Sequence, residues 1–232
     1  SSIARLIPGM NGGSDAGGAN GLFMSFFIYR WTRHGIGGAR VLVDGMSMQN
    51  VTGSSRNTSP VNASLVNETI VEQGGVSAES NSNGLTFNMI PKEGSNNWDF
   101  GSTVAFTNSN FQADNLPPEL AARNVPTTEK ILHMYDTHFT AGGPLRRDKV
   151  WIFAATRATG LRTGITKSFY NKTIGTPFFT PDLSRPAYRK EWDKSQSARI
   201  TWQVSARNKF SGLAFLQSFQ QRGGTTRQAQ EA

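Results

Sequence analysis

From residue 98 onward the sequence alternates apolar and polar residues with a period of two, and this limits the possible folds more than any other feature. Over residues 98–107 the even positions are Trp98, Phe100, Ser102, Val104 and Phe106, against Asp99, Gly101, Thr103, Ala105 and Thr107. Successive side chains of a strand point to opposite faces, whereas an amphipathic helix repeats every 3.6 residues, so the segment reads as a strand with one apolar face. The alternation returns over 131–141, where Ile131, Tyr135, Phe139 and Ala141 share a parity, and over 150–158, where Lys149 and Arg157 fall on the odd set. Over 197–205, Ala198, Ile200, Trp202 and Val204 oppose Ser197, Arg199, Thr201, Gln203 and Ser205; over 209–221, Leu213, Phe215 and Phe219 share a parity. About five antiparallel strands are expected. Their connections read long, short, long, short: residues 108–130 with a Leu116-Pro117-Pro118 stop, 142–148, 164–192 and 206–208. That rhythm is the one outer-membrane barrels show, with long loops on one side and tight turns on the other.

Upstream the character differs. Gly-, Ser- and Asn-rich stretches separate short apolar bursts. Residues 22–29 read as a buried strand and 40–43 as a second, stopped by an Asp44-Gly45 turn. Residues 63–71 read as a short helix running into a strand, with Val66, Ile70 and Val71 on a small core. Residues 85–90 form the last strand of this part. Pro91 ends it, because proline has no ladder donor, and Lys92-Glu93-Gly94-Ser95-Asn96 turns the chain into the alternating region. Two domains are expected, 1–96 and 97–232. Gly94 is expected to take a backbone dihedral that other residues resist.

The junction carries a resemblance. Ser77-Ala78-Glu79, Gly84, Asn88 and Ile90-Pro91-Lys92-Glu93-Gly94-Ser95-Asn96 resemble the plug-to-barrel junction of TonB-dependent outer-membrane receptors, especially the Oar-like group. Val41-Leu42-Val43-Asp44-Gly45-Met46 resembles the plug's strand and turn before that junction. Gly142-Gly143-Pro144-Leu145-Arg146-Arg147-Asp148-Lys149, followed by Val150-Trp151-Ile152-Phe153, resembles an early barrel turn and strand. Ile200-Thr201-Trp202-Gln203 and Arg207-Asn208-Lys209 resemble a later hairpin. Residues 1–10, SSIARLIPGM, resemble the end of a plug helix, which implies that the sequence opens inside that domain. Related receptors carry a glycine where Arg30-Trp31-Thr32 stands here.

The resemblance implies a mainly β fold: the C-terminal part of a small α+β plug domain, then the first antiparallel strands of a large, incomplete transmembrane β-barrel. Such barrels close about 22 strands, leaving roughly 17 beyond this sequence. It implies TonB-dependent active uptake of a scarce nutrient (siderophore, cobalamin, saccharide or peptide) across the bacterial outer membrane, with the plug gating the lumen. The implied partners are the TonB energy-transducing complex, met through an upstream segment, outer-membrane lipid and a small nutrient. Neither cofactor, metal nor catalytic residue is implied. The implied junction signature is Glu79, Gly84, Asn88, Pro91, Lys92, Gly94 and Asn96. With it go the plug turn Asp44-Gly45 and the barrel turn Gly142, Gly143, Pro144, Asp148 and Lys149.

Composition is compatible with that reading. Lys+Arg number 24 against 16 Asp+Glu, a net charge of +8. The basic residues are scattered, with no run longer than Arg146-Arg147, which fits solvated turns facing an anionic surface better than a nucleic-acid partner. With no cysteine, disulfides and Cys-based metal sites are excluded. No signal peptide opens the sequence. The longest apolar burst, 22–31, is short of the ~20 residues a membrane helix needs, but barrel strands need only ~9–11.

The enzyme signals fall away individually. Gly75-Val76-Ser77-Ala78-Glu79 lacks the second glycine of a nucleophile elbow. His133 and His138 are five apart on a strand and point to opposite faces. Gly35-Ile36-Gly37-Gly38-Ala39 is followed by a strand, not by the helix a dinucleotide site requires. Asp44 is explained by its turn. No enzymatic activity is expected. The rival from another class is a soluble, secreted β-sandwich binding module, carbohydrate-binding or adhesin-like. It accounts for the alternation and the Gly/Asn-rich loops, but not for the change of character at Pro91. On the barrel reading Phe100, Val104, Ile152, Ile200 and Trp202 face lipid, while Thr103, Arg157, Arg199 and Gln203 face the lumen or plug.

Overall fold

The computed structural model describes residues 39–47, 62–73, 85–113, 116–122 and 130–222. Over these the chain is mainly β, in two sheets. The smaller has the order β2-β1-β4-β3, built from β1 (Ala39–Val43), β2 (Met46–Ser47), β3 (Val66–Gln73) and β4 (Leu85–Pro91). Strands β1 and β4 run parallel, with Val41 opposite Phe87 and Val43 opposite Met89. β3 pairs antiparallel to β4 and carries an irregularity between Val66 and Glu68. Val41, Val43 and Phe87 are buried, as expected of β-branched and aromatic residues on a pleated, covered face.

The larger sheet is a meander in the order β5-β6-β7-β8-β9: β5 (Asp99–Asn108), β6 (Ile131–Arg146), β7 (Val150–Asn171), β8 (Pro181–Ser205) and β9 (Asn208–Arg222). A short helix, α1 (Pro118–Ala122), lies between β5 and β6. By the clustering of contacts the chain divides into two compact units. The first holds the small sheet together with residues up to 102, 138–157 and 195–217; the second holds 103–137, 158–194 and the rest.

The larger sheet is inverted relative to a water-soluble sheet. Along β8 the odd residues Glu191, Asp193, Ser195, Ser197, Arg199 and Thr201 are buried, while Lys194, Gln196, Ala198, Ile200 and Trp202 are exposed. Over 195–202 of β8 the covered parity is polar, and the open parity is apolar but for Gln196; Phe100 of β5 is 71% exposed and Trp202 50%. Where the small sheet meets this polar face it uses a compact apolar contact, Leu65 against Phe153 and Ala155 of β7, with Leu213 of β9 beside them. Leu65 ends a single 3-10 turn, Ala63–Leu65.

Residues 63–71 form a short helical turn running into a strand, as expected. Two expectations are corrected. Leu65 fills the core position, while Val66 and Val71 are half-buried and Ile70 is exposed. Residues 164–192 are mostly strand: β7 and β8 run 22 and 25 residues and are joined across 172–180. That connection is much shorter than expected, yet it remains longer than the turns across 147–149 and 206–207, so the long–short alternation persists. The expected strand at 22–29 lies outside the described residues.

Candidate functional site

The first unit concentrates its polar contacts where the chain leaves the small sheet. Asp44 and Gly45 form the two-residue loop between β1 and β2, with φ of 51° and 78°. Two central residues at positive φ are what a twisted hairpin requires, and Asp-Gly is a favoured pair for it. The turn is tied to β4 twice: Asp44 N donates to Met89 O at 3.0 Å, and Gly45 N donates to Asn88 Oδ1 at 3.0 Å. This aims the Asp44 carboxylate at β8.

Its target is Arg199, only 6% exposed. Arg199 Nη1 lies 3.2 Å from Asp44 Oδ2, and Nη2 lies 3.0 Å from Glu93 Oε1. Nη1 also donates to the Pro91 carbonyl at 3.4 Å. Glu93 Oε2 in turn accepts from Lys209 Nζ of β9 at 2.6 Å. Two carboxylates and two cations thus alternate across the small-sheet turn, the junction, β8 and β9. A buried guanidinium is tolerated only when its charge is paired; here two carboxylates and a carbonyl engage Nη1 and Nη2, while Nε is buried without an acceptor.

Asn96 forms the second tie. Its Oδ1 accepts from Asp148 N at 3.0 Å and from Trp151 Nε1 at 2.8 Å; its Nδ2 donates to Asp148 Oδ1 at 2.6 Å. Asp148, at φ 60°, sits in the turn between β6 and β7. Lys149 closes that turn, donating from N to Arg146 O, and its carbonyl accepts from Gln203 N. Lys92 N donates to Leu65 O at 2.7 Å, and its ammonium lies 5.9 Å from the Phe153 ring centroid.

Gly94 is explained by close approach. Its φ is not positive, against expectation. A Cβ built there would run into the Ile152 carbonyl and stand 3.0 Å from Gly143 O. Gly143 is covered by the Trp98 indole and Gly142 by the Phe153 ring; Pro144 follows them, half-buried in β6.

The structure thus brings Asp44, Gly45, Asn88, Pro91, Lys92, Gly94, Asn96, Gly142, Gly143, Asp148 and Lys149 into one region of the first unit. Glu79 and Gly84 lie outside the described residues. Sequence reasoning set Arg199 facing the lumen or plug without naming Asp44 or Glu93 as its partners, and it gave Lys209, Trp98 and Trp151 no contact in this region. Arg199 had one available signal: it is the sole charge among Ser197, Thr201, Gln203 and Ser205 on the odd parity of its segment. The arrangement is a set of compensated charges and hydrogen bonds that fixes one segment against another; it offers no nucleophile with an adjacent base. On the open face of the same unit, Phe100, Phe139, Ala154, Ala198, Ala214 and Leu216 line an apolar groove.

No family model matches the chain, and no curated protein matches it. Among solved structures it is similar to the siderophore receptor PirA from Acinetobacter baumannii. The TM-score is 0.53 at 18% identity, over 83% of this chain and 25% of that one. The chain therefore spans about a quarter of that receptor's length, and what the two share is a fold.

Proposed function

We propose that the chain is a segment of a TonB-dependent outer-membrane transporter. The small sheet belongs to its plug and the five-stranded meander to its barrel wall. One observation carries this reading: the large sheet buries Ser195, Ser197, Arg199 and Thr201 of β8 and exposes Ala198, Ile200 and Trp202 of the same strand. A soluble sandwich packs apolar inner faces against each other. A membrane barrel alternates apolar-out and polar-in, because a lipid-facing Arg or Lys at the midplane costs about 2–4 kcal/mol. The fold shared with a siderophore receptor supports the same reading.

The function is active uptake of a small nutrient, a siderophore being the class this likeness favours. The energy comes from the TonB complex, and no covalent chemistry is involved. The charges around Arg199 hold plug to wall at rest, and their release is part of opening. The test is single-cysteine labelling of the full-length protein in outer membranes, with a lipid-soluble and a water-soluble maleimide. Cysteine at Ile200 or Trp202 should take the lipid-soluble reagent, and at Thr201 or Gln203 only the water-soluble one. Equal labelling of both parities would sink the barrel assignment.

A further inference from the structure

In the second unit the face shared by Tyr135, Arg162 and Tyr188 is basic and aromatic. Arg162 of β7 places its guanidinium 3.7 Å from the Tyr188 ring centroid on β8. Further along β8, on the same parity, come Lys190, Trp192 and Lys194, with the Lys194 ammonium 5.5 Å from the Trp192 ring centroid. The indole is held by Gln220 of β9, Nε1 donating to Oε1 at 2.9 Å. On β6 the Tyr135 ring lies across Gly160, and both charges acting on His133, Arg162 and Lys190, are positive. Of the acidic residues of these strands, Asp136, Glu191 and Asp193 have the opposite parity, and Asp182, at the start of β8, lies with its Oδ1 3.9 Å from Lys172 Nζ. Among the described residues Arg162, Lys190 and Lys194 have no carboxylate within ion-pair distance, and Arg162 Nε is buried without an acceptor.

We propose that this face binds the phosphate of an anionic membrane lipid headgroup. Uncompensated like charges on neighbouring strands repel, and a bound anion removes that cost. Guanidinium and ammonium groups are the usual partners of phosphate oxygens. The surroundings favour a lipid over a free ion: the adjoining edge strand β5 exposes Val104 and Phe106, and Tyr and Trp stand among the cations. Amphipathic rings and long basic side chains with apolar stems are what a membrane's headgroup level selects.

The inference rests on the outer-membrane reading, and the experiment separates the two. Full-length protein in neutral detergent is mixed with vesicles of phosphatidylcholine, with or without phosphatidic acid, and binding is read by flotation. Wild type should prefer the vesicles carrying phosphatidic acid. Arg162→Gln, Lys190→Gln and Lys194→Gln combined should abolish that preference, at roughly fivefold in affinity per charge removed. Lys172→Gln, outside the patch, should leave it intact. If Arg162→Gln impairs folding, the Lys190→Gln/Lys194→Gln pair should still lose most of the preference, because both side chains reach solvent and neither supports the sheet. Equal preference in wild type and variant overturns the proposal, as does full displacement by inorganic phosphate, which would mark a free-anion site. Absence of the wild type from outer-membrane fractions overturns the transporter reading instead, and flotation still decides the patch.

Discussion

Gly94 and Arg199 are constrained by their surroundings in two different ways. At Gly94 the requirement is space, since the Ile152 carbonyl occupies the position of a side chain. Forcing atoms into packed structure costs about 1–3 kcal/mol. Gly94→Val should therefore lower the thermal midpoint and impair uptake more than it impairs membrane insertion; unchanged uptake at equal surface level would separate this contact from transport. At Arg199 the requirement is charge. A double-mutant cycle of Asp44→Asn and Arg199→Gln, measured by denaturant unfolding, should give a coupling of about 0.5–3 kcal/mol. Added salt should weaken it less than the coupling of Glu93→Gln with Lys209→Gln, because Arg199 is buried and Lys209 half in water. The Asp44-Gly45 turn was legible in the sequence because turn chemistry is local. Parity gave the facing of Arg199 but not its partners, and Gly94 was read as a special dihedral rather than a close approach: the Ile152 carbonyl and the Asp44 carboxylate are supplied by distant parts of the chain.

Among the elements, β5 was legible to within a residue at each end, since its apolar and polar sets alternate throughout. β7 and β8 were legible only where one face is apolar. Beyond Ala158 on β7, and before Gln196 on β8, polar residues occupy both parities. Glu191 and Asp193 alternate with Lys190, Trp192 and Lys194. The hydrogen-bonded ladder continues while the hydrophobic period that signals it disappears, and Pro181 and Pro186 strengthen the impression of a loop. Lys167, at φ 57°, adds an irregularity that no periodicity analysis anticipates. The turn joining these strands depends on Asn171, which is buried. Its Oδ1 accepts from Thr173 N, Thr173 Oγ1 and Thr180 N at 3.1, 2.9 and 2.8 Å. Asn171→Ala leaves three donors without that acceptor and should cost about 1–3 kcal/mol. Hydrogen exchange should then quicken at 170–182 and stay unchanged in β5; uniform exchange across the sheet would show that the turn is not a local clamp.

For the whole molecule, the described large sheet ends at β5 on one side and β9 on the other. Its open face shows Phe100, Val104, Phe106, Ile200, Trp202 and Leu216. Unpaired strand edges and an apolar surface of this extent both promote association. The 232-residue chain expressed by itself should therefore self-associate in water and disperse in detergent. Size-exclusion chromatography checks it: a well-behaved monomer without detergent, unfolding cooperatively, would favour the soluble sandwich over the barrel wall.

The parallel pairing of β1 with β4 decides how the small sheet answers to a pull. Tension applied from the chain before Ala39 draws β1 one way, while β4, anchored through Glu93 and Asn96, is held the other way. The two strands are then loaded in shear, with every rung from Ala39–Leu85 to Val43–Met89 bearing force at once. An antiparallel partner loaded from the same end would unzip rung by rung. The sheet should thus behave as a handle that stays folded under tension and passes the load to the contacts of Glu93 and Asn96. In single-molecule pulling, the first rupture should be lost with Arg199→Gln and Asn96→Ala while β1–β4 shear persists as a later, higher-force event.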